Sequence, residues 1–203
     1  MTGSTRPRWL SLSAFTALGA AFILTGCVNF GGSKAPPALL VLTAEASVAG
    51  GTVRSGERKE ALVVLPPEAP RKLETVRVPV QVNASSIAYL KDAVWADKPA
   101  KLWQQLLAET IAARTDLLVL NNFDAGGRDR YQLSGMLMEF GIDADSNEAV
   151  IVFDAVKLRD AKPVEKRRFE IRKPVALIEA GPVGEALNAA ANELAAEVSD
   201  WVK

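Results

Sequence analysis

Histidine is absent from the 203-residue chain, and cysteine occurs once, at Cys27. The first absence excludes a Ser-His-Asp triad, a Cys-His pair, His-ligated zinc or haem, and an imidazole titrating near neutral pH. The second excludes an internal disulfide and a thiolate cluster. A surplus of either charge is also missing: 24 Lys+Arg stand against 24 Asp+Glu, so nothing in the balance favours a nucleic acid as partner. Aromatic residues make up only 6% and are scattered, too thin a pattern to define a lipid-carrying cavity. What remains, 49% hydrophobic and 24% charged, is the usage of an ordinary globular protein. Carboxylates, Lys and Tyr are the catalytic means left, and no residues are assigned to catalysis or to a metal.

Charge is lacking altogether from Trp9 to Ser33, behind a short basic start at Arg6 and Arg8. The apolar part, Trp9 to Leu24, is diluted by Ser11, Ser13, Thr16 and Gly19. It falls short of the roughly 20 predominantly apolar residues that a membrane span needs and suits a signal-peptide core. That core ends in Leu24-Thr25-Gly26-Cys27, which resembles the lipobox of bacterial lipoproteins. The resemblance implies cleavage between Gly26 and Cys27, diacylglycerol on the Cys27 thiol and an acyl group on the new amino terminus, with no other cofactor. Small residues at 25 and 26 let a peptidase reach the backbone, while the thiol supplies the nucleophile for the lipid donor. Two acyl chains already suffice for stable membrane anchoring. Removing residues 1–26 takes Arg6 and Arg8 away and leaves a formal charge of −2. Val28 to Pro37 is rich in Gly, Ser and Pro and reads as a tether. Its ten residues reach at most about 35 Å extended and about 17 Å as a coil.

Residues 38–203 then form one domain. Ala38 to Thr43 reads as a buried strand, Ala44 to Lys59 as a loop, and Ala61 to Leu65 as a short strand stopped by Pro66-Pro67. Val76, Val78, Val80 and Val82 alternate with polar residues. Pro79, lacking an N–H, puts that strand at an edge or at a bulge. Asp97 offers an N-cap with Pro99 in the first turn, and Leu102, Trp103, Leu106, Leu107 and Ile111 recur at helical spacing. Leu117 to Leu120, Tyr131 to Phe140, Val150 to Leu158 and Arg168 to Ile171 read as strands, the last three as a meander. Val183, Leu187, Ala191, Leu194, Val198 and Val202 mark a closing helix, with Trp103 and Trp201 in the apolar stripes. The order predicts an α+β domain with an antiparallel or mixed sheet and two helices on one face.

Asp143, Asp145, Asn147 and Asp154 are spaced like calcium-loop ligands, but Glu148 stands where the sharp turn requires Gly, so a polar hairpin turn is the better reading. Residues 139–154 hold five acids and no base, whereas 157–173 hold eight bases and three acids. A meander would set these at opposite ends as an acidic and a basic pole. The basic one, with Lys166, Arg167 and Arg168, would face anionic lipid or an acidic partner.

The lipobox, the strand holding Arg77-Val78-Pro79-Val80, Ile87-Ala88-Tyr89-Leu90, and Ala93-Val94-Trp95-Ala96-Asp97 leading into the helix resemble the ABC-type transport auxiliary lipoprotein family, which includes PqiC-like intermembrane transport lipoproteins. The resemblance implies a non-enzymatic accessory of a phospholipid transport system, partnered by an MCE-domain protein and an ABC permease and ATPase, with self-association allowed. Val28 after the lipidated Cys favours the periplasmic face of the outer membrane over the inner membrane. Tyr89 and Trp95, in the irregular segment before the helix, are the candidates for a shared partner surface beside Lys166, Arg167 and Arg168. The competing readings are a stand-alone envelope structural or assembly lipoprotein working with an outer-membrane protein, and a carboxylate- or lysine-dependent hydrolase.

Overall fold

The meander predicted after residue 130 is the backbone of the molecule. In the computed structural model, which describes residues 37–120, 131–160 and 162–203, the three strands are longer than their apolar patterns. The leader at 1–26, the cleavage point at Gly26, Cys27 and the tether as far as residue 36 lie outside the described residues. Among the described residues eight strands make one mixed sheet: β1 (Ala38–Leu40), β2 (Leu62–Val64), β3 (Arg77–Asn83), β4 (Ser86–Trp95), β5 (Val119–Leu120), β6 (Tyr131–Asp143), β7 (Glu148–Arg159) and β8 (Glu165–Pro174). Two helices, α1 (Pro99–Arg114) and α2 (Ala180–Val202), pack against it. The α+β expectation with a mixed sheet holds.

β6 organises the sheet. One edge pairs antiparallel with β7 along its whole length. The other edge is divided: its first half takes β2 in parallel (Leu62 beside Tyr131, Val64 beside Leu133), and its last residues take β3 (Val80 beside Ile142, Gln81 beside Asp143). β2 lies between β6 and β5, parallel to both, which explains its unbroken run of buried Leu62, Val63 and Val64. Strands inside a parallel arrangement are covered on both faces and lose the alternation of a half-exposed strand.

The helices bury the stripes that their periodicity predicted. α1 turns Leu102, Trp103, Leu106, Leu107 and Ile111 inward, and α2 turns Val183, Leu187, Ala191, Leu194, Val198 and Val202 inward. Small residues at Ala190, Ala191 and Ala195 let α2 approach closely. Trp103 meets Phe153 edge to face at 5.6 Å, and Trp201 meets Phe169 at 5.6 Å, the geometry that aromatic quadrupoles favour. Asp97 does not cap α1. Lys98 occupies the cap without a side-chain bond, Pro99 begins the helix, and Asp97 instead pairs with Lys101 at 2.6 Å.

Two sequence expectations change, and of the two alternatives for Pro79 the bulge holds. Ala38–Leu40 is an edge strand rather than a buried one, with Leu39 69% exposed, because only β4 pairs with it. Pro79 sits at a bulge, between Arg77 and the Pro79–Tyr89 pair, but its strand is internal, flanked by β4 and β6. Ile87 to Trp95 belongs to one strand, β4, bulged around Asp92 (φ +56°) and joined to β3 by a tight hairpin. The segment after β1 is held by side chains of α2: Asn192 Nδ2 donates to the Thr43 carbonyl at 2.9 Å, and the Thr43 and Glu45 N–H groups donate to Asn188 and Asn192 at 2.8 Å.

Candidate functional site

One face of the sheet is covered by the helices, and strand alternation gives the opposite face its own side chains. From β8 these are Lys166, Arg168, Glu170 and Arg172; from β7, Asp154, Val152, Val150 and Glu148; from β6, Met136, Glu139, Gly141 and Asp143. Pro79 and Gln81 of β3 and Ile87 and Tyr89 of β4 continue it. A shallow groove of about 330 Å³ runs over this face, lined by Lys72, Pro79, Gln81, Glu139, Gly141, Asp143, Val150 and Arg172 among others. Val150 in its floor, and Val152 beside it on the strand, are buried although they face away from the helices.

Ion pairs roof that floor. Lys72 bonds to Glu139. Arg172 reaches Glu170 at 2.8 Å, Glu148 at 3.3 Å and Asp143 at 3.4 Å. Arg168 clasps Asp154 with two bonds at 2.6 and 2.8 Å, and Lys166 stands 3.4 Å from the same carboxylate. Register explains this, since Asp154 lies directly opposite Arg168. The expected separation into an acidic and a basic pole therefore does not occur. β8 runs back past the β6–β7 turn and sets Arg172 on Asp143 and Glu148.

The basic trio does not form one patch either. Lys166 and Arg168 share the open face, whereas Arg167 points to the helix face, its guanidinium 4.6 Å from the Phe169 ring centre. Trp95 is corrected outright as a surface residue. It is 1% exposed and packs edge to face on Phe140 at 5.2 Å, because it sits on the helix side of β4. Tyr89 is half-buried on the open face, with the Arg77 guanidinium 3.9 Å above its ring. Sequence reasoning missed the groove residues Lys72, Glu139 and Gly141. The signal was Glu139, a lone acid within an apolar strand.

Two carboxyls on this face, Asp154 and Asp143, are held in the charged form by their partners. The Arg168 hydrogen bond, opposed by partial burial, holds Asp154 below its ordinary value. Partial burial raises Asp143, but the backbone N–H groups of Asp145 and Ser146 and the Arg172 guanidinium outweigh it and bring the group down. Both shifts run opposite to what a general acid needs. The Asp143–Glu148 turn is closed by its own N–H bonds at 3.1 and 3.5 Å, with Asp154 remote on the strand, so the calcium-like spacing is a hairpin. Among the described residues no group of three or more His, Cys, Asp or Glu is placed to hold a metal.

With its folded pKa lowered, Asp154 adds stability that is present at neutral pH and lost as pH falls from the ordinary carboxylate range through the lowered folded value. Arg168→Gln is expected to lower Tm at neutral pH. The gap to the parent should close in acid, where Asp154 is protonated in both. Circular dichroism melts across the acid limb measure this, and a gap of constant size throughout would refute it.

A family model described as the ABC-type transport auxiliary lipoprotein component matches residues 41–199. The chain belongs to this family. As a member, this auxiliary lipoprotein is associated with an ABC-type transport system and held in the cell envelope through lipid, in a role that is generally non-catalytic. Two crystal structures share the fold. Protein XCC0632 from Xanthomonas campestris is 18% identical with a TM-score of 0.68, over 80% of this chain and 93% of that one. An uncharacterized protein is 13% identical with a TM-score of 0.66, over 83% and 99%. No curated protein matches the auxiliary lipoprotein. None of its helices among the described residues is long and apolar enough to cross a membrane.

Proposed function

We propose that the protein is the periplasmic accessory lipoprotein of an ABC/MCE-type phospholipid transport system, anchored through diacylglycerol and N-acyl groups on Cys27 to the periplasmic face of the outer membrane. It serves as a docking or scaffolding component. The observation that carries this reading is the family match over residues 41–199. The lipobox at Leu24–Cys27 supports the anchor, and Val28 after the cysteine supports the outer membrane. The roofed face of the sheet suits docking. Its charges are already paired within the chain, so a partner can cover them without leaving a buried charge unmatched, and rim ion pairs set the orientation of docking more than its strength.

Affinity isolation of the full-length lipidated chain from detergent-solubilised envelopes tests this function. Co-isolation of an MCE-domain protein with the permease and ATPase is the expected result. Recovery of an outer-membrane β-barrel protein without any of the three would overturn it in favour of a stand-alone assembly role.

A further inference from the structure

The β3–β4 hairpin ends in a tip that is exposed throughout. From Val78 to Leu90 the chain carries no charged residue, and every residue from 82 to 88 is exposed. Val78 and Val80 point into the core, whereas Val82, on the same side of the strand, is 43% exposed, and Ile87 is likewise 43% exposed. Two aliphatic side chains and two alanines, Ala84 and Ala88, thus stand at an uncharged tip.

The direction of the chain says what lies there. β1 runs parallel to β4, with Ala38 beside Ala93 and Leu40 beside Trp95. The chain therefore enters β1 from the end of the sheet at which the hairpin projects. Arg77 lies opposite Val94 and Asn83 closes the hairpin six residues on, about 20 Å at strand rise. The ten residues between Cys27 and Ala38 span about 17 Å as a coil and at most about 35 Å. With the strands upright and Cys27 in the bilayer, the tip touches the membrane for a coiled tether and stays within about 15 Å for a fully extended one.

Resting on the lipid anchor at Cys27 proposed above, we propose that the β3–β4 hairpin tip, with Val82 and Ile87, is a second membrane contact that seats at the headgroup boundary and sets the domain upright on its anchor. The contact is apolar, not electrostatic. The Ala144 N–H donates to the Gln81 carbonyl at 2.9 Å, which brings the acidic β6–β7 turn level with the tip. An anionic surface would gain nothing from Asp145 beside it. A patch of this size binds weakly alone, but a short tether supplies a high effective concentration of membrane.

The test uses the full lipidated chain in phosphatidylcholine nanodiscs, with Ser85→Cys carrying a nitrobenzoxadiazole label. Lipidation blocks the Cys27 thiol, so position 85 is the single labelling site. Lipids spin-labelled near the headgroup should quench this label, with little dependence on salt. A label at Lys162→Cys, in the β7–β8 turn at the opposite end of the sheet, should remain bright. Val82→Glu with Ile87→Glu should abolish the quenching at 85 while the protein stays on the nanodisc. Equal brightness at 85 and 162 on retained protein would overturn the contact and leave the anchor standing, as would a blue shift at 85 without quenching, the sign of a tip covered by protein. Release from the nanodisc with a free Cys27 thiol would overturn anchor and contact together.

Discussion

A chain carrying Cys27→Ser, exported behind a leader that is cleaved without lipid transfer, is expected to move from the membrane fraction to the periplasmic extract. The reason is the scale of the anchor. Each methylene buried in the bilayer contributes about 0.8 kcal/mol, one acyl chain holds a protein only reversibly, and a second makes retention stable. Serine lacks the thiolate nucleophile that accepts diacylglycerol, so every chain is lost together. The hairpin tip, with Val82 and Ile87 each 43% exposed, is far too small to replace them. The exchanged leader matters, because an uncleaved Trp9–Leu24 core would itself cling to membrane. Fractionation with an intact-mass measurement of the mature parent reads the outcome. Parent protein starting at Cys27 without added acyl mass, or a serine variant that sediments unchanged, would defeat the expectation.

Gly135→Val, on the helix side of β6, is expected to cost a large share of the folding stability. Gly135 lies in β6 with φ +151°, and a Cβ there would stand 2.1 Å from the Asp154 carbonyl oxygen and 2.9 Å from the Phe153 ring. Neither neighbour can retreat. The carbonyl belongs to the central ladder, and the ring packs on Trp103. Overpacking of this kind costs about 1–3 kcal/mol and the backbone strain about as much again, against a total of about 5–15 kcal/mol for a domain. The urea midpoint should fall accordingly. Gly181→Ala is the matched control: nothing lies within 4 Å of its Cβ position in the first turn of α2, and alanine there should be neutral or stabilising. Equal midpoints for Gly135→Val and the parent would contradict the argument.

How much was legible follows from where each signal resides. α1 and α2 were readable because their apolar residues recur every three or four positions on one element, a local property. The β6–β8 meander was readable for the same reason, helped by the polar turn at Asp143–Glu148. β4 was not. Its exposed half, Ser86 to Ala88, gives no buried alternation, and its register with β3 slips between Pro79 and Arg77, so the apolar residues drift out of period. Trp95 looked like part of an irregular surface segment until β4 gave it a face. The lattice of ion pairs was invisible because it depends on register. Which base meets Asp154 is decided by where the β7–β8 turn closes, and a shift of one residue would have sent Arg168 to the helix side. Cys27 belongs to another category: its meaning lies in the short motif around it and owes nothing to the fold.

The three-residue β1 has a mechanical consequence. Its chain arrives from the hairpin end and runs parallel to β4, so a tug from the envelope acts along the strand axis. Load then falls on all its ladder bonds in shear rather than peeling them one after another, and directly behind it Asn188 and Asn192 clamp Thr43 and Glu45 to the long helix. Motion of a leashed partner is thereby passed to the rigid body of the sheet and helix instead of unravelling its first strand.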